Sequence, residues 1–271
     1  PLLGKFYLPY SLNKILKADF KPSYVITTGR RMSGTSIALK TILKNKVKTI
    51  HIQNPKLPLK HFDLLLIPEH DGINGRNIIQ TKGALCFFGN NDIRNLNKSQ
   101  LNKVKVKDYL VLLMVGGNSK KYIPQNSEYY DLCSKVIKGV ESIDGQLIVI
   151  VSRRTPPKAI KILDFIFSKK LRNYKMFFPN QYNPYPQILK VTDYAIVTGD
   201  SVNMISETAT LPIPLFISHF SKENRKILSF IENLKKSGIV KSYEGDLFDY
   251  SKKTLQTNKN SILKINKFFR F

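Results

Sequence analysis

The chain of 271 residues is poor in acidic residues and cysteine, and each shortage excludes a class of site. Its two cysteines, Cys86 and Cys133, lie far apart without metal-ligand spacing, so we expect buried thiols in a reducing compartment. The four histidines form no local metal motif, and no Asp-x-Asp motif is evident. We therefore predict no metal and no resident cofactor.

Long apolar runs are also missing. No stretch of eighteen apolar residues occurs, so we expect no transmembrane helix. The chain begins at Pro1 and has no charged segment followed by an apolar one, so we expect no signal peptide. These features predict a cytoplasmic protein, with the inner face of a membrane as an alternative location.

Because acidic residues are few, the chain carries a large net positive charge. Lys and Arg total 44 against 19 Asp and Glu, a net charge of +25. A solvated lysine surface, an anionic membrane surface and nucleic acid would each account for it. No zinc-finger, helix-turn-helix or aromatic RNA-binding motif is present, so we expect no specific nucleic-acid partner. Because Lys, Ile and Asn are all abundant, as A·T-rich genomes favour, we interpret the charge as compositional drift with some attraction to membrane surfaces.

Short β-branched runs alternate with helical segments, which indicates an α/β protein with parallel sheets. The polar, lysine-rich stretch 95–107 separates two such series. We predict two Rossmann-like domains that face each other across a cleft, over residues 1–104 and 105–250. Apolar residues at helical spacing in 251–271 predict a C-terminal helix that packs back on the first domain, with a membrane-facing helix as the alternative.

The strongest motif runs from Thr198 to Glu207. A strand ends at Thr198, Gly199 allows a turn, and Asp200 or Ser201 is predicted to cap a helix. Free backbone N–H groups at a helix start attract anions such as a diphosphate. Glu207 lies nearly two turns further on, where a carboxylate can accept hydrogen bonds from two ribose hydroxyls. In an arbitrary helix these residues would be a cap and a surface charge, but the order of elements favours a nucleotide site.

Other candidates for this nucleotide site follow neighbouring strands. A pair of arginines after Ser152 is placed to hold phosphate, although each alone would equally suit a surface ion pair. Glycines after the first strand of this half allow close approach of a ligand, but Gly-Gly also marks many turns. The full predicted set is Gly116, Gly117, Ser152, Arg153, Arg154, Phe178, Asn180, Asp200, Ser201, Val202, Met204 and Glu207.

The first half contains two polar clusters at strand ends. Gly29, Arg30 and Arg31 follow one strand and are candidates for the acceptor side. Glu69, His70 and Asp71 follow another. His70 is a candidate general base oriented by Asp71 or Glu69. The alternative is a turn in which Asp71 caps local backbone and His70 is only packed.

The motifs together resemble the mitochondrial-fission ELM ("elongated mitochondria") family, which plants and many bacteria share. They are Gly29-Arg30-Arg31, Pro68 to Asp71, Thr81 to Leu85, Gly116-Gly117, Ser152 to Pro156, Asn183-Pro184-Tyr185 and Val197 to Glu207. The resemblance implies a GT-B-like architecture, as in glycosyltransferases that use nucleotide sugars. It also implies that the Ser201 and Val202 backbone meets the diphosphate and that Glu207 meets the ribose.

The resemblance frames two functional hypotheses. The first is a bacterial, metal-independent GT-B-type glycosyltransferase-like protein that binds a nucleotide-diphosphate sugar in its second domain and transfers the sugar to a membrane-associated glycolipid acceptor. The second is a non-catalytic adaptor of membrane or organelle division with a relic nucleotide pocket, as the plant branch suggests. Members of the family usually open with a further strand and a glycine-rich loop, so we expect a first domain truncated at its N-terminus.

Overall fold

The computed structural model describes residues 22–43, 46–86, 106–119, 122–178, 184–222 and 224–270. The chain divides into two compact units. The larger unit runs from Gly83 to Asn258. The smaller unit precedes Gly83 and also takes in the C-terminal residues from Lys259. The predicted boundary at residue 104 lies outside the described residues.

The smaller unit contains a four-stranded parallel sheet in the order β1-β2-β3-β4. Its strands are β1 (Tyr24–Thr28), β2 (Lys48–Ile52), β3 (Leu64–Pro68) and β4 (Ile78–Thr81). Helix α1 (Arg30–Ile42) connects the first two strands. The central strand β3 is apolar on both faces, with Leu64 to Ile67 almost fully buried, as expected of a covered parallel strand.

The larger unit contains a six-stranded parallel sheet in the order β10-β9-β8-β5-β6-β7. Its strands are β5 (Leu110–Val115), β6 (Gln146–Val151), β7 (Tyr174–Phe177), β8 (Tyr194–Thr198), β9 (Leu215–Ser218) and β10 (Lys241–Ser242). Side chains on β5 alternate between two core layers, because successive strand residues point to opposite faces. Both faces of this sheet are therefore buried.

In the described residues, five helices cover the two faces of the larger sheet. One layer is formed with α2 (Asn126–Ser142) and α3 (Pro157–Lys170). The opposite layer is formed with α4 (Tyr185–Val191), α5 (Val202–Ala209) and α6 (Arg225–Lys236). The last helix of the chain, α7 (Thr257–Phe269), places Phe269 against Tyr24 of the smaller unit, with ring centroids 5.3 Å apart.

The predicted α/β class with Rossmann-like parallel units is confirmed, and most differences lie at element ends. The sequence pattern predicts a helix over 35–43, but α1 begins at Arg30, because Gly29 adopts a φ of 77° and turns the chain directly from β1 into the helix. The apolar run 213–217 predicts a strand that starts at Ile213, but β9 begins at Leu215. Pro214 has no N–H to give to a ladder, and its carbonyl accepts from Ala195 instead (3.0 Å).

Candidate functional site

The carboxyl ends of β5 and β8 mark the point where the larger sheet reverses its winding. From β5 the chain proceeds outward to β6 and β7, and it then returns to the other side of β5 to form β8 and β9. The loops after β5 and β8 diverge at such a switch point, which is where open α/β sheets bind ligands. The predicted motifs at Gly116-Gly117 and at Thr198 to Asp200 thus meet at one sheet edge.

Asp200 joins the three loops at this edge. Its carboxylate accepts hydrogen bonds from the Gly117 N–H (2.9 Å) and the Thr198 hydroxyl (2.7 Å), and it forms an ion pair with Arg154 (2.8 Å). The Thr198 hydroxyl in turn accepts from the Gly116 N–H (2.8 Å). The loops that follow β5, β6 and β8 therefore share one carboxylate, whose side chain is only 10 % exposed.

The two glycines after β5 make room for the protein itself. A Cβ added at Gly116 would lie 2.1 Å from the Asp200 carboxylate, and one at Gly117 would lie 2.2 Å from the Arg154 carbonyl oxygen. Both distances are far inside van der Waals contact. The glycines were predicted to let a ligand approach, and in the structure they allow these two neighbouring loops to approach.

The two adjacent arginines differ in their contacts. Arg154 donates to Asp200 and to the carbonyl oxygen of Asn118 (3.2 Å). Arg153 is exposed and has no ion pair or hydrogen bond with another described residue. Ser152 is half-buried, and its hydroxyl accepts from the Arg154 N–H (3.1 Å). The structure thus holds one arginine in place and leaves the other guanidinium open to solvent.

Helix α5 begins at this sheet edge without a side-chain cap. Ser201 occupies the N-cap position, but neither its hydroxyl nor Asp200 accepts from the first helical N–H groups. Asp200 is turned back toward Gly117, which explains why the predicted cap is absent. Val202 and Met204, in the first turn, pack against one core layer. The helix start therefore keeps backbone donors that a bound anion would satisfy.

Glu207 lies on the same helix, and Tyr185 holds it in position. The Tyr185 hydroxyl donates to Glu207 Oε2 (3.0 Å), and Oε1 has no partner among the described residues. Burial raises the pKa of Glu207 above its ordinary value, against the opposing effect of the Tyr185 hydrogen bond. Burial and the adjacent carboxylate raise the pKa of Tyr185. A half-buried carboxylate with one oxygen uncommitted can accept a ligand hydroxyl.

Two chain segments hold the rest of α5. The Ala84 N–H donates to the Ser206 hydroxyl (2.9 Å), and the Leu255 N–H donates to the Ala209 carbonyl (2.9 Å). Lys252 is placed at the C-terminal end of the helix and donates to the carbonyl oxygens of Thr208 and Leu211. The helix that contains Glu207 is thus held at its middle and at its C-terminal end.

The remaining sequence candidates have different surroundings. Phe178 is half-buried and packs against the core layer of α2 and α3, while Asn180 and Asn183 lie outside the described residues. Glu69, His70 and Asp71 form one 3-10 turn closed by Gly72, with Glu69 exposed and the other two half-buried.

The acceptor-side candidates lie at the start of α1. Arg30 and Arg31 belong to its first turn and are exposed, and Gly29 precedes them. Throughout the described part of the chain, no three His, Cys, Asp or Glu side chains cluster as a metal site would need. In the same residues, no helix has both the length and the apolar character that a bilayer crossing requires.

Solved structures that share this fold include enzymes of nucleotide sugars. A glycosyltransferase from Rickettsia africae superposes with a TM-score of 0.51 at 11 % identity, over 99 % of this chain and 80 % of that one. The Neisseria meningitidis UDP-GlcNAc 2-epimerase bound to UDP-GlcNAc gives 0.51 at 15 % identity, over 96 % and 72 %. At such identities the likeness concerns the fold, and it confirms the predicted GT-B-like class.

Sequence relatives give the family. An uncharacterised protein of Rickettsia prowazekii (strain Madrid E) is 27 % identical over 96 % of this chain and 86 % of its own length. The mitochondrial fission protein ELM1 of Arabidopsis thaliana is 23 % identical over 86 % of this chain, which spans 63 % of that protein. The family model described as Mitochondrial fission ELM1 matches residues 9–265. The resemblance seen in the motifs is thereby confirmed, and the chain belongs to the Mitochondrial fission ELM1 family.

Proposed function

We propose that the larger unit binds a nucleotide-diphosphate sugar at the start of α5. The observation that carries the proposal is Glu207, a half-buried carboxylate with one oxygen held by Tyr185 and the other uncommitted. It lies on the helix whose uncapped N-terminus points to the switch point of the sheet. The free backbone N–H groups at the helix start would bind the diphosphate, and the uncommitted oxygen of Glu207 would accept from the ribose hydroxyls.

The charges at the site are compatible with a diphosphate. Arg154 neutralises the carboxylate of Asp200, which would otherwise repel an anion at the helix start. Arg153 is exposed two residues after β6 and can turn toward the ligand without breaking a described contact. An arginine near the departing diphosphate would offset the charge that develops as the sugar leaves. This arrangement supports transfer without a bound cation.

For the transfer step we propose a role for the 3-10 turn of Glu69, His70 and Asp71. The acceptor hydroxyl oxygen would attack the anomeric carbon while the bond to the diphosphate oxygen breaks. The hydroxyl proton would pass to His70, and the nucleoside diphosphate would leave with the bonding electrons. Gly29, Arg30 and Arg31, at the start of α1, would serve a glycolipid acceptor with an anionic headgroup, because both arginines are exposed.

The test is calorimetric titration of the full chain with UDP-N-acetylglucosamine, followed by ADP- and CMP-linked sugars. The uridine ligand comes first because a solved structure of this fold holds it. Glu207→Ala should weaken binding at least about tenfold, since hydrogen bonds to a charged acceptor contribute about 1.5–3 kcal/mol. Glu141→Ala, which removes an exposed carboxylate from α2, and His70→Ala should leave binding unchanged.

One observation favours a second function, that of an adaptor with a relic pocket. The Gly117 N–H and Arg154 are groups that commonly bind phosphate, and the Asp200 carboxylate already occupies both. In an adaptor that no longer binds nucleotide, these internal bonds would hold the loops in place without a ligand. If no nucleotide sugar binds the wild-type chain, the enzyme proposal is wrong and the adaptor remains. If a nucleotide sugar binds but His70→Ala hydrolyses it at the wild-type rate, only the assignment of the base fails.

A further inference from the structure

Helix α7 has one packed face and one exposed face. Its inward stripe consists of Thr257 and Ser261, which are 3 % and 4 % exposed, followed by the half-buried Ile265 and Phe269. A second stripe at the same four-residue spacing, made of Lys259, Leu263 and Lys267, points to solvent. We call this stripe, together with the exposed Arg270 that directly follows the helix, the α7 basic face.

The cations of this face are unpaired. Lys259, Lys267 and Arg270 form no ion pair or hydrogen bond with another described residue, and the sequence 251–271 contains no Asp or Glu. Some cations on other surface helices have acidic partners. Lys138 of α2 pairs with Asp246 (2.8 Å), and Lys235 of α6 pairs with Glu232 (2.9 Å). Unlike α2 and α6, α7 contains no Asp or Glu, so no acidic residue on the helix offsets its lysines.

Apolar side chains stand among these cations. Leu263 lies one turn from both Lys259 and Lys267 and is 59 % exposed, and the adjacent Ile262 is 56 % exposed. Both aliphatic side chains are therefore accessible to a partner.

We propose that the α7 basic face binds the surface of an anionic lipid membrane. Phospholipid headgroups would neutralise its three cations, and Leu263 and Ile262 would enter the boundary between headgroups and acyl chains, as in interfacial helices. Nucleic acid would satisfy the cations but would give exposed aliphatic side chains nothing to contact. The helix has 13 residues, or about 20 Å, so it can lie flat along the bilayer while the chain remains folded.

The experiment is co-sedimentation of the full chain with vesicles of phosphatidylcholine alone, and with vesicles of phosphatidylcholine and phosphatidylglycerol in equal parts. Binding is expected only to the second kind, and high salt should weaken it. The double variant Lys259→Gln/Lys267→Gln should lower partitioning about thirtyfold, from about 1 kcal/mol for each cation. Leu263→Gln, which keeps every charge, should lower it about tenfold.

The matched control is Lys158→Gln/Lys161→Gln on α3, which removes the same charge from another exposed helix. If this control and the α7 double variant lose binding equally, the net charge is responsible and the proposal is wrong. It is also wrong if Leu263→Gln binds vesicles like wild type, or if the α7 variant loses only the binding of single-stranded RNA. Circular dichroism should show all variants folded, because each changed side chain is exposed. The proposal does not depend on nucleotide binding.

Discussion

Asp200 determines how closely three loops approach at the edge of the larger sheet. Its carboxylate receives the Gly117 N–H, the Thr198 hydroxyl and Arg154, and it leaves no room for a methyl group on Gly116. The hydrogen bonds are charge-assisted and largely shielded from water, so they are stronger than surface pairs. We infer that Asp200 acts on a ligand indirectly, by fixing the loop that leads into α5.

A prediction at this scale concerns Gly116. Gly116→Ala would force its Cβ to within 2.1 Å of the Asp200 carboxylate, so one of the three loops must move. We expect a loss of about 1–3 kcal/mol in the free energy of unfolding, as for other overpacked sites. The control is Gly34→Ala on α1, where a Cβ meets no atom within 4 Å. That change should stabilise the chain by about 0.5–1 kcal/mol, and chemical denaturation measures both. Equal effects would mean that Gly116 is not closely packed in solution.

The same residues show what the sequence can predict about the site. The relative placement of Ser201 and Glu207 was predictable, because one helix fixes the spacing between them. The bond from Tyr185 to Glu207 was not, because it joins residues 22 positions apart through two separate helices. The buried pair of Thr27 and His51, 2.7 Å apart on neighbouring strands, has no local signature for the same reason. Roles within an element follow from its periodicity, whereas contacts between elements depend on packing.

Several chain segments contact helix α5. Its start lies at the switch point, Ser206 at its middle accepts from the segment at Ala84, and its last carbonyls receive Lys252 and the Leu255 N–H. Such fixation suits a helix whose N-terminal donors and Glu207 must hold one geometry for a ligand. Burial lowers the pKa of Lys252 to about 7, although the carbonyl oxygens favour its charged form.

The pKa of Lys252 gives a prediction about this helix. In the folded state it is about 7, against an ordinary value of 10.5 in the unfolded chain. Between these values the unfolded chain binds more protons, so the free energy of unfolding should rise with pH. Lys252→Met should reduce that slope, whereas Lys253→Met, at the exposed neighbouring position, should leave it as in wild type. Denaturation across this pH window tests the difference. The same slope in Lys252→Met would show that Lys252 stays charged when folded.

Element positions followed from the sequence better than element ends did. Strands such as Leu110–Val115 and Gln146–Val151 are apolar runs, which parallel sheets covered on both faces require. The ends depended on single residues with special backbone demands. The turn at Gly29 makes α1 begin at Arg30, ahead of the predicted start. The side chain of Asn224 caps α6 by accepting from the Lys226 N–H (3.0 Å). Such details need the backbone angles, which a sequence pattern does not contain.

Over the whole molecule, each unit has its own parallel sheet and its own core. The smaller unit buries Phe62, Leu65 and Ile67, and the larger unit buries two layers, one on each face of its sheet. The fold class and the family could be predicted because strand runs and motif order span the chain. The biochemical role could not, because the same fold and the same charge of +25 suit an enzyme, an adaptor or a membrane-bound protein.

Separate cores lead to a prediction about how a ligand affects the whole chain. The proposed nucleotide site uses residues of the larger unit only, so ligand binding should stabilise that unit by mass action. At a free concentration one hundred times Kd the gain is about 2.7 kcal/mol. When UDP-N-acetylglucosamine is present, amide hydrogen exchange should therefore slow at Gly116-Gly117 and across α5. The amides of β1 to β4 should exchange at the same rate as without the ligand. Glu207→Ala should abolish the protection without changing exchange in the free protein. Protection of β1 to β3 equal to that of α5 would contradict a site confined to the larger unit.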